Sequence, residues 1–101
     1  MPTKLRTLES PSGRGQVFVE ERLVCAADYR LDVVQTMIIY HPPFSPAEEI
    51  PSTTRTAGRI RADKYLDVTE RYILRLADGR RIEFFLTDSV SGDIACSDDF
   101  Y

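Results

Sequence analysis

The sequence predicts an all-β domain: a small antiparallel β-barrel of six to seven strands, with a β-sandwich as the alternative. Three observations predict it. Apolar and polar residues alternate with period two in run after run, the runs are separated by Gly, Pro, Asp and Ser clusters, and little of the chain reads as helix. With so few strands, closure into a barrel disposes of exposed edges better than an open sandwich does.

Taken in order, residues 1–12 carry Thr, Ser, Pro and Lys with little periodicity and read as a flexible N-terminal tail. Residues 13–97 form the single domain. Gly13-Arg14-Gly15 opens its first strand, in which Val17 and Val19 alternate with Gln16, Phe18 and Glu20. After a turn at Glu20-Glu21-Arg22, a long run from Leu23 to Tyr40 puts Leu23, Cys25, Ala27, Tyr29, Leu31 and Val33 on one face. Val24, Ala26, Asp28, Arg30 and Asp32 fall on the other. From Val33-Val34 onward both faces are apolar. The run far exceeds a typical strand of about 5–6 residues, so either a bulge near Val33-Val34 bends it around a barrel corner, the favoured reading, or it is two strands.

Residues 41–55 hold prolines at positions 42, 43, 46 and 51 and predict an irregular loop rather than a central strand. Thr56 to Asp63 alternates again, with Gly58, Ile60 and Ala62 against Arg59, Arg61 and Asp63. Residues 64–70 fit either one helical turn or an extended connection. Residues 87–92 are a turn-rich linker, Asp93 to Ser97 a last strand, and 98–101 a C-terminal tail.

The stretch Arg71–Leu86 is the most informative. Tyr72, Leu74 and Leu76 alternate with Ile73, Arg75 and Ala77, and Ile82, Phe84 and Leu86 with Arg81, Glu83 and Phe85. A two-residue Asp78-Gly79 loop would set Leu74 beside Glu83, mixing core and solvent faces, which the pleat forbids. A three-residue loop, Ala77-Asp78-Gly79, instead pairs Leu76 with Arg80, Leu74 with Ile82 and Tyr72 with Phe84. It also places Gly79 at the left-handed position of a type I turn with a G1 bulge.

At 101 residues, with 43% apolar and 29% charged residues, the chain is large enough to bury one core without staples. A net charge of −3 and a pI near 5.1 argue against a dedicated nucleic-acid surface. No apolar run approaches the ~18 residues of a membrane span, and MPTKLRTLES lacks the apolar stretch of a secretory signal. A cytoplasmic location with no membrane partner is the expectation. Cys25 and Cys96 have no metal-ligand spacing and read as two buried thiols, with a disulfide left open.

Chemistry-bearing patterns are sparse. His41, the single histidine, sits at a strand end before Pro42-Pro43 without a nucleophile–acid set around it. No zinc, EF-hand or Walker pattern is present, so neither a cofactor nor a metal site is expected. Arg59 and Arg61, with Arg30, would form an anion site or, if their strands are neighbours, a solvated face of ion pairs. Phe44 lies in the Pro-rich segment, which could act as a lid over a barrel mouth. On the hairpin, Ile73 and Phe85 point away from the core, flanked by Arg75 and Arg81, which lie opposite each other. An apolar pair among arginines is a candidate protein contact patch.

Ser89 and Gly92 share the spacing of the cyclic-dinucleotide-binding PilZ barrel. Thr87 stands where that motif has an acid, however, and Arg55 and Arg59, which have its arm's spacing, lie in mid-chain, so the chain is not assigned to that family. A broader likeness rests on Gly13-x-Gly15, Tyr29-x-Leu31-x-Val33 and Leu76-Ala-Asp-Gly-Arg-Arg-Ile-Glu-Phe-Phe85. In these the chain resembles short uncharacterised bacterial β-barrel proteins. The resemblance implies the fold and a bacterial source, and no activity.

The expected function is a non-enzymatic protein-interaction or binding module, homodimeric through the Ile73/Phe85 face. The alternative is a carrier of a small apolar ligand, with lipocalin-like logic and gating by the 41–55 loop.

Overall fold

The computed structural model describes residues 2–96 and 100–101. Seven strands carry the chain: β1 (Thr3–Glu9), β2 (Ser12–Val19), β3 (Arg22–Tyr40), β4 (Glu48–Ala62), β5 (Tyr72–Arg75), β6 (Arg81–Asp88) and β7 (Asp93–Cys96). All pairings are antiparallel, and the sheet closes on itself in the order β3-β2-β5-β6-β7-β4 and back to β3. The all-β, barrel-like architecture expected from the alternation is therefore present. Residues 64–70 contain bends and a turn and no helix.

The ring interior is filled by its own side chains. Val17, Leu31, Leu74, Ile82 and Phe84 are fully buried, and Tyr29, Ile60, Leu66, Leu76, Leu86 and Ile94 pack around them. Each large apolar side chain removed from water contributes roughly 1.5–3 kcal/mol. Tyr72 stacks on Phe84 with ring centroids 5.7 Å apart. Two buried phenols keep partners: Tyr29 Oη accepts the Ala77 N–H at 3.0 Å, and Tyr72 Oη accepts the Asp67 N–H at 2.8 Å.

The β5–β6 hairpin has the register read from the sequence. Tyr72 faces Phe84, Leu74 faces Ile82 and Arg75 faces Arg81. The Leu76 N–H donates to the Arg80 carbonyl at 2.7 Å, and Gly79 lies at φ +94°. Asp78 accepts the Arg80 N–H and pairs with its guanidinium, which holds its carboxyl below the ordinary carboxylate range.

Three expectations are corrected. Thr3–Glu9, read as part of a tail, is strand β1, paired along the same edge of β3 as β2. Every residue of β1 is exposed, so no apolar alternation marks it. Glu48–Arg55, read as the second half of an irregular loop, belongs to β4 despite Pro51. Proline is tolerated there because β4's outer edge is unpaired until Ala57 meets Ala95 of β7. The bulge expected near Val33-Val34 is also differently placed. β3 runs unbroken from Arg22 to Tyr40, and the extra residue sits on β1, between Thr7 (opposite Val34) and Glu9 (opposite Val33).

A second bulge explains Leu23, which the alternation assigned to the core. Val17 pairs with Cys25 and Phe18 with Leu23, so the register shifts at Val24 and turns Leu23 outward. Cys25 is buried and Cys96 half-buried; both are free thiols. At the C-terminal side, Ser97 of the expected last strand and positions 98–99 of the expected tail lie outside the described residues. Tyr101 exchanges two backbone hydrogen bonds with Arg81, each 2.9 Å, and Phe100 packs beneath the Arg80 guanidinium. The described end of the tail is thus docked.

Candidate functional site

β3 and β4 are far longer than the ring needs. Their distal halves, Val33–Tyr40 and Glu48–Thr56, leave the ring together, and β1 adds a third strand along β3. The result is a three-stranded arm that gives the molecule its extents of 57 × 26 × 20 Å and a radius of gyration of 16.5 Å. A compact domain of this length would have a radius of gyration of about 13 Å.

The arm has two unlike faces, set by strand register. One continues the ring interior. On it Met37 is buried beneath an ion pair between Lys4 and Glu49, which lie on either side of β3 opposite Met37 and Ile39. The other continues the ring's outer surface. There Ile38 has Thr3 on one side and Ile50 on the other, Leu5 lies opposite Thr36, and Tyr40 opposite Glu48. Leu5 is 73% exposed and Ile50 44%. At the tip, Phe44 holds a left-handed φ of +61° and projects fully into solvent.

The sequence-derived candidates fall apart into three places. His41 and Phe44 are at the arm's tip; at about 3.3 Å per residue along β3, His41 lies on the order of 30 Å beyond Leu31 of the core. The tip does not cover the ring, so the expected lid is corrected. Arg59 and Arg61 are on the ring's outer face, remote from His41. The expected meeting of charged strands is present: Asp28 lies opposite Arg61 and Arg30 opposite Arg59. The bonds are redistributed, however. Arg59 pairs with Asp93 at 2.9 Å, and Arg14 of β2 bridges Asp28 and Asp63, so its guanidinium is held more firmly protonated than usual.

Ile73 and Phe85 do point outward, and both are half-buried. Ile73 neighbours Phe18 and Glu83, and Phe85 neighbours Ala95. Arg71 lies over the Phe85 ring at 5.6 Å and donates to Glu83 at 3.0 Å, roofing much of this patch. Arg75 and Arg81 face each other as expected.

An open surface cleft of about 520 Å³ lies at the ring end between Ile60–Leu66 and Ser89–Gly92. The turn's own donors there are consumed internally: Asp88 accepts the Val90 and Ser91 N–H groups, which keeps its carboxyl below the ordinary range. Among the described residues, no group of three or more His, Cys, Asp or Glu is placed to hold a metal ion. Among the described residues no helix is long and apolar enough to cross a membrane.

The exposed apolar residues of the arm that the sequence did not single out as candidates are Leu5, Tyr40 and Ile50. The available signal was the Lys4-Leu5-Arg6-Thr7 alternation, which has the period of a strand but no buried face. Comparisons with family models, curated proteins and solved structures return no match.

Proposed function

We propose that this chain is a non-enzymatic protein-interaction module in which the ring is the scaffold and the arm is the contact element. The observation that carries this reading is the strip formed by Leu5, Ile38, Tyr40 and Ile50 on one open face, with Phe44 beyond it at the tip. Apolar surface removed from water contributes about 25 cal/mol per Å². A contiguous strip on a projecting element, rather than scattered single residues, is the pattern that a partner buries. The filled ring interior favours a scaffold over a carrier of a small apolar ligand. The roofing of Phe85 by Arg71 favours the arm over the Ile73/Phe85 face.

Site-specific photo-crosslinking in cells tests it. A benzophenone side chain at Ile50 or Phe44 is expected to capture protein, whereas the same group at Val90 or Tyr65, both more exposed than Ile50 but on the ring, captures little. Equal yields at ring and arm, or none at the arm, overturn the proposal.

A further inference from the structure

The two outer edges of the arm differ in what they offer. On β4 the outer edge carries Pro51, which has no N–H, and a bulge. Met37 pairs with Pro51 but Gln35 with Thr54, so two residues, Ser52 and Thr53, stand against Thr36. The bulge moves the side chains of 54–56 out of phase with those of 49–51. Strand addition along that edge would carry apolar residues from one face to the other, which is how edges are commonly protected.

β1 has no such protection between Thr3 and Thr7. Its hydrogen-bond phase follows from one contact: the Ile39 N–H donates to the Pro2 carbonyl at 2.9 Å. Pro2 is thus a hydrogen-bonded partner of Ile39, and with Thr3 opposite Ile38 the pattern alternates down the strand. Lys4 and Arg6 direct their backbone groups at Met37 and Gln35. Thr3, Leu5 and Thr7 direct theirs away from β3, into solvent, and their side chains lie on the apolar face.

We infer that this edge pairs with the β1 edge of a second copy of the chain, antiparallel about a two-fold axis at Leu5, to form one continuous sheet through both arms. The inference rests on the reading of the arm as the contact element. Phase and pairing together fix the register. An axis between two residues would set outward-pointing Leu5 against inward-pointing Lys4 or Arg6, and an axis at Lys4 would pair only Thr3 with Leu5. An axis at Arg6 would set two Arg6 side chains face to face, and one at Thr7 would bring the bulged Leu8 and the Arg80-bound Glu9 into the ladder. An axis at Leu5 pairs Leu5 with Leu5, and Thr3 with Thr7 in both directions. Every outward N–H and carbonyl from Thr3 to Thr7 is then satisfied, and the strip of Leu5, Ile38 and Ile50 becomes continuous across the junction. On the opposite face Lys4 comes beside Arg6 of the other copy. Lys4 is already paired with Glu49, and among the described residues Arg6 has no ion-pair partner.

The test uses the full chain with single substitutions. In an antiparallel hydrogen-bonded pair the Cα atoms are about 5.5 Å apart, within disulfide reach, whereas the two Thr7 positions would be on the order of 13 Å apart. Leu5→Cys is expected to oxidise to a species of twice 11.5 kDa at least about tenfold faster than Thr7→Cys. Leu5→Pro should weaken self-association about tenfold in sedimentation equilibrium with little change in melting temperature, because the N–H it removes points away from β3. Arg6→Glu should tighten association several-fold by facing Lys4 of the other copy. Equal oxidation rates at the two positions, or a wild-type chain that stays monomeric at about millimolar concentration, overturn the inference. If those results appear while crosslinkers at Ile50 still capture a protein of another mass, the second copy is excluded and the arm remains the contact element. If Ile50 also captures nothing, both fall.

Discussion

Gly92 and Gly79 both hold left-handed backbones, at φ +77° and +94°, yet their surroundings differ completely. A Cβ at Gly79 would meet nothing within 4 Å, whereas one at Gly92 would lie 2.1 Å from the Ile60 carbonyl oxygen. That carbonyl belongs to β4 where the ring closes, and the Ile60 N–H donates to the Gly92 carbonyl at 2.8 Å. Gly79→Ala should therefore cost only the left-handed penalty, about 1–2 kcal/mol. Gly92→Ala adds a backbone shift of roughly 1 Å to reach ordinary contact, with loss of the Ile60 hydrogen bond, about 0.5–1.5 kcal/mol, and overpacking of about 1–3 kcal/mol. The two variants should differ by on the order of 2–4 kcal/mol. In thermal unfolding at about 4–8 °C per kcal/mol, that is a gap of roughly 10–30 °C. Urea titration of both variants with matched slopes gives the comparison directly. Equal destabilisation would refute the reasoning, since it would mean that conformation alone, and not the approach to β4, governs both sites.

Three further outcomes follow from the core. Burial pushes the Cys96 thiol up to about 12 from an ordinary value of 9.0, so the folded protein should resist thiol reagents at pH 8 while the unfolded chain reacts at once. Because the folded form holds this proton more tightly, its contribution to stability is complete below pH 9 and fades as pH rises from 9 toward 12; a flat denaturation midpoint across that window would contradict it. Tyr29→Phe should cost about 1 kcal/mol by removing the acceptor for the Ala77 N–H and should speed amide exchange at Ala77; unchanged exchange would show that water serves that N–H equally well.

How much of this was legible in the sequence depended on whether two physical signals coincided. At the β5–β6 hairpin the alternation and the turn chemistry of Gly79 independently demanded one register, and that register is present. Along β3 the alternation correctly placed Cys25, Ala27, Tyr29 and Leu31 inside, and failed at Leu23, where a bulge changes parity without leaving a compositional mark. The arm was illegible for a different reason. Period-two reading detects a strand by its buried face, and β1 has none, while Pro51 on an unpaired edge looks like a strand breaker although it breaks no ladder bond there. The long two-sided apolar run from Val33 to Ile39 is plain in the sequence, but a bend and an arm predict the same run. The outward Ile73/Phe85 pair was legible; the Arg71 side chain laid over it was not, since no spacing rule encodes where an arginine folds down.

β3 and β4 pass from the ring into the arm without a break, and β1 joins β2 through only Ser10 and Pro11, the latter's carbonyl bonded to the Leu31 N–H. Ring and arm are thus not joined by a linker, and there is no hinge at which one could swivel against the other. Strands in such a sheet rotate relative to their neighbours by about −20 to −25°. Whatever the arm grips is consequently held at an orientation to the ring dictated by strand twist, and its capture costs none of the entropy that a tethered pair of bodies would lose on alignment.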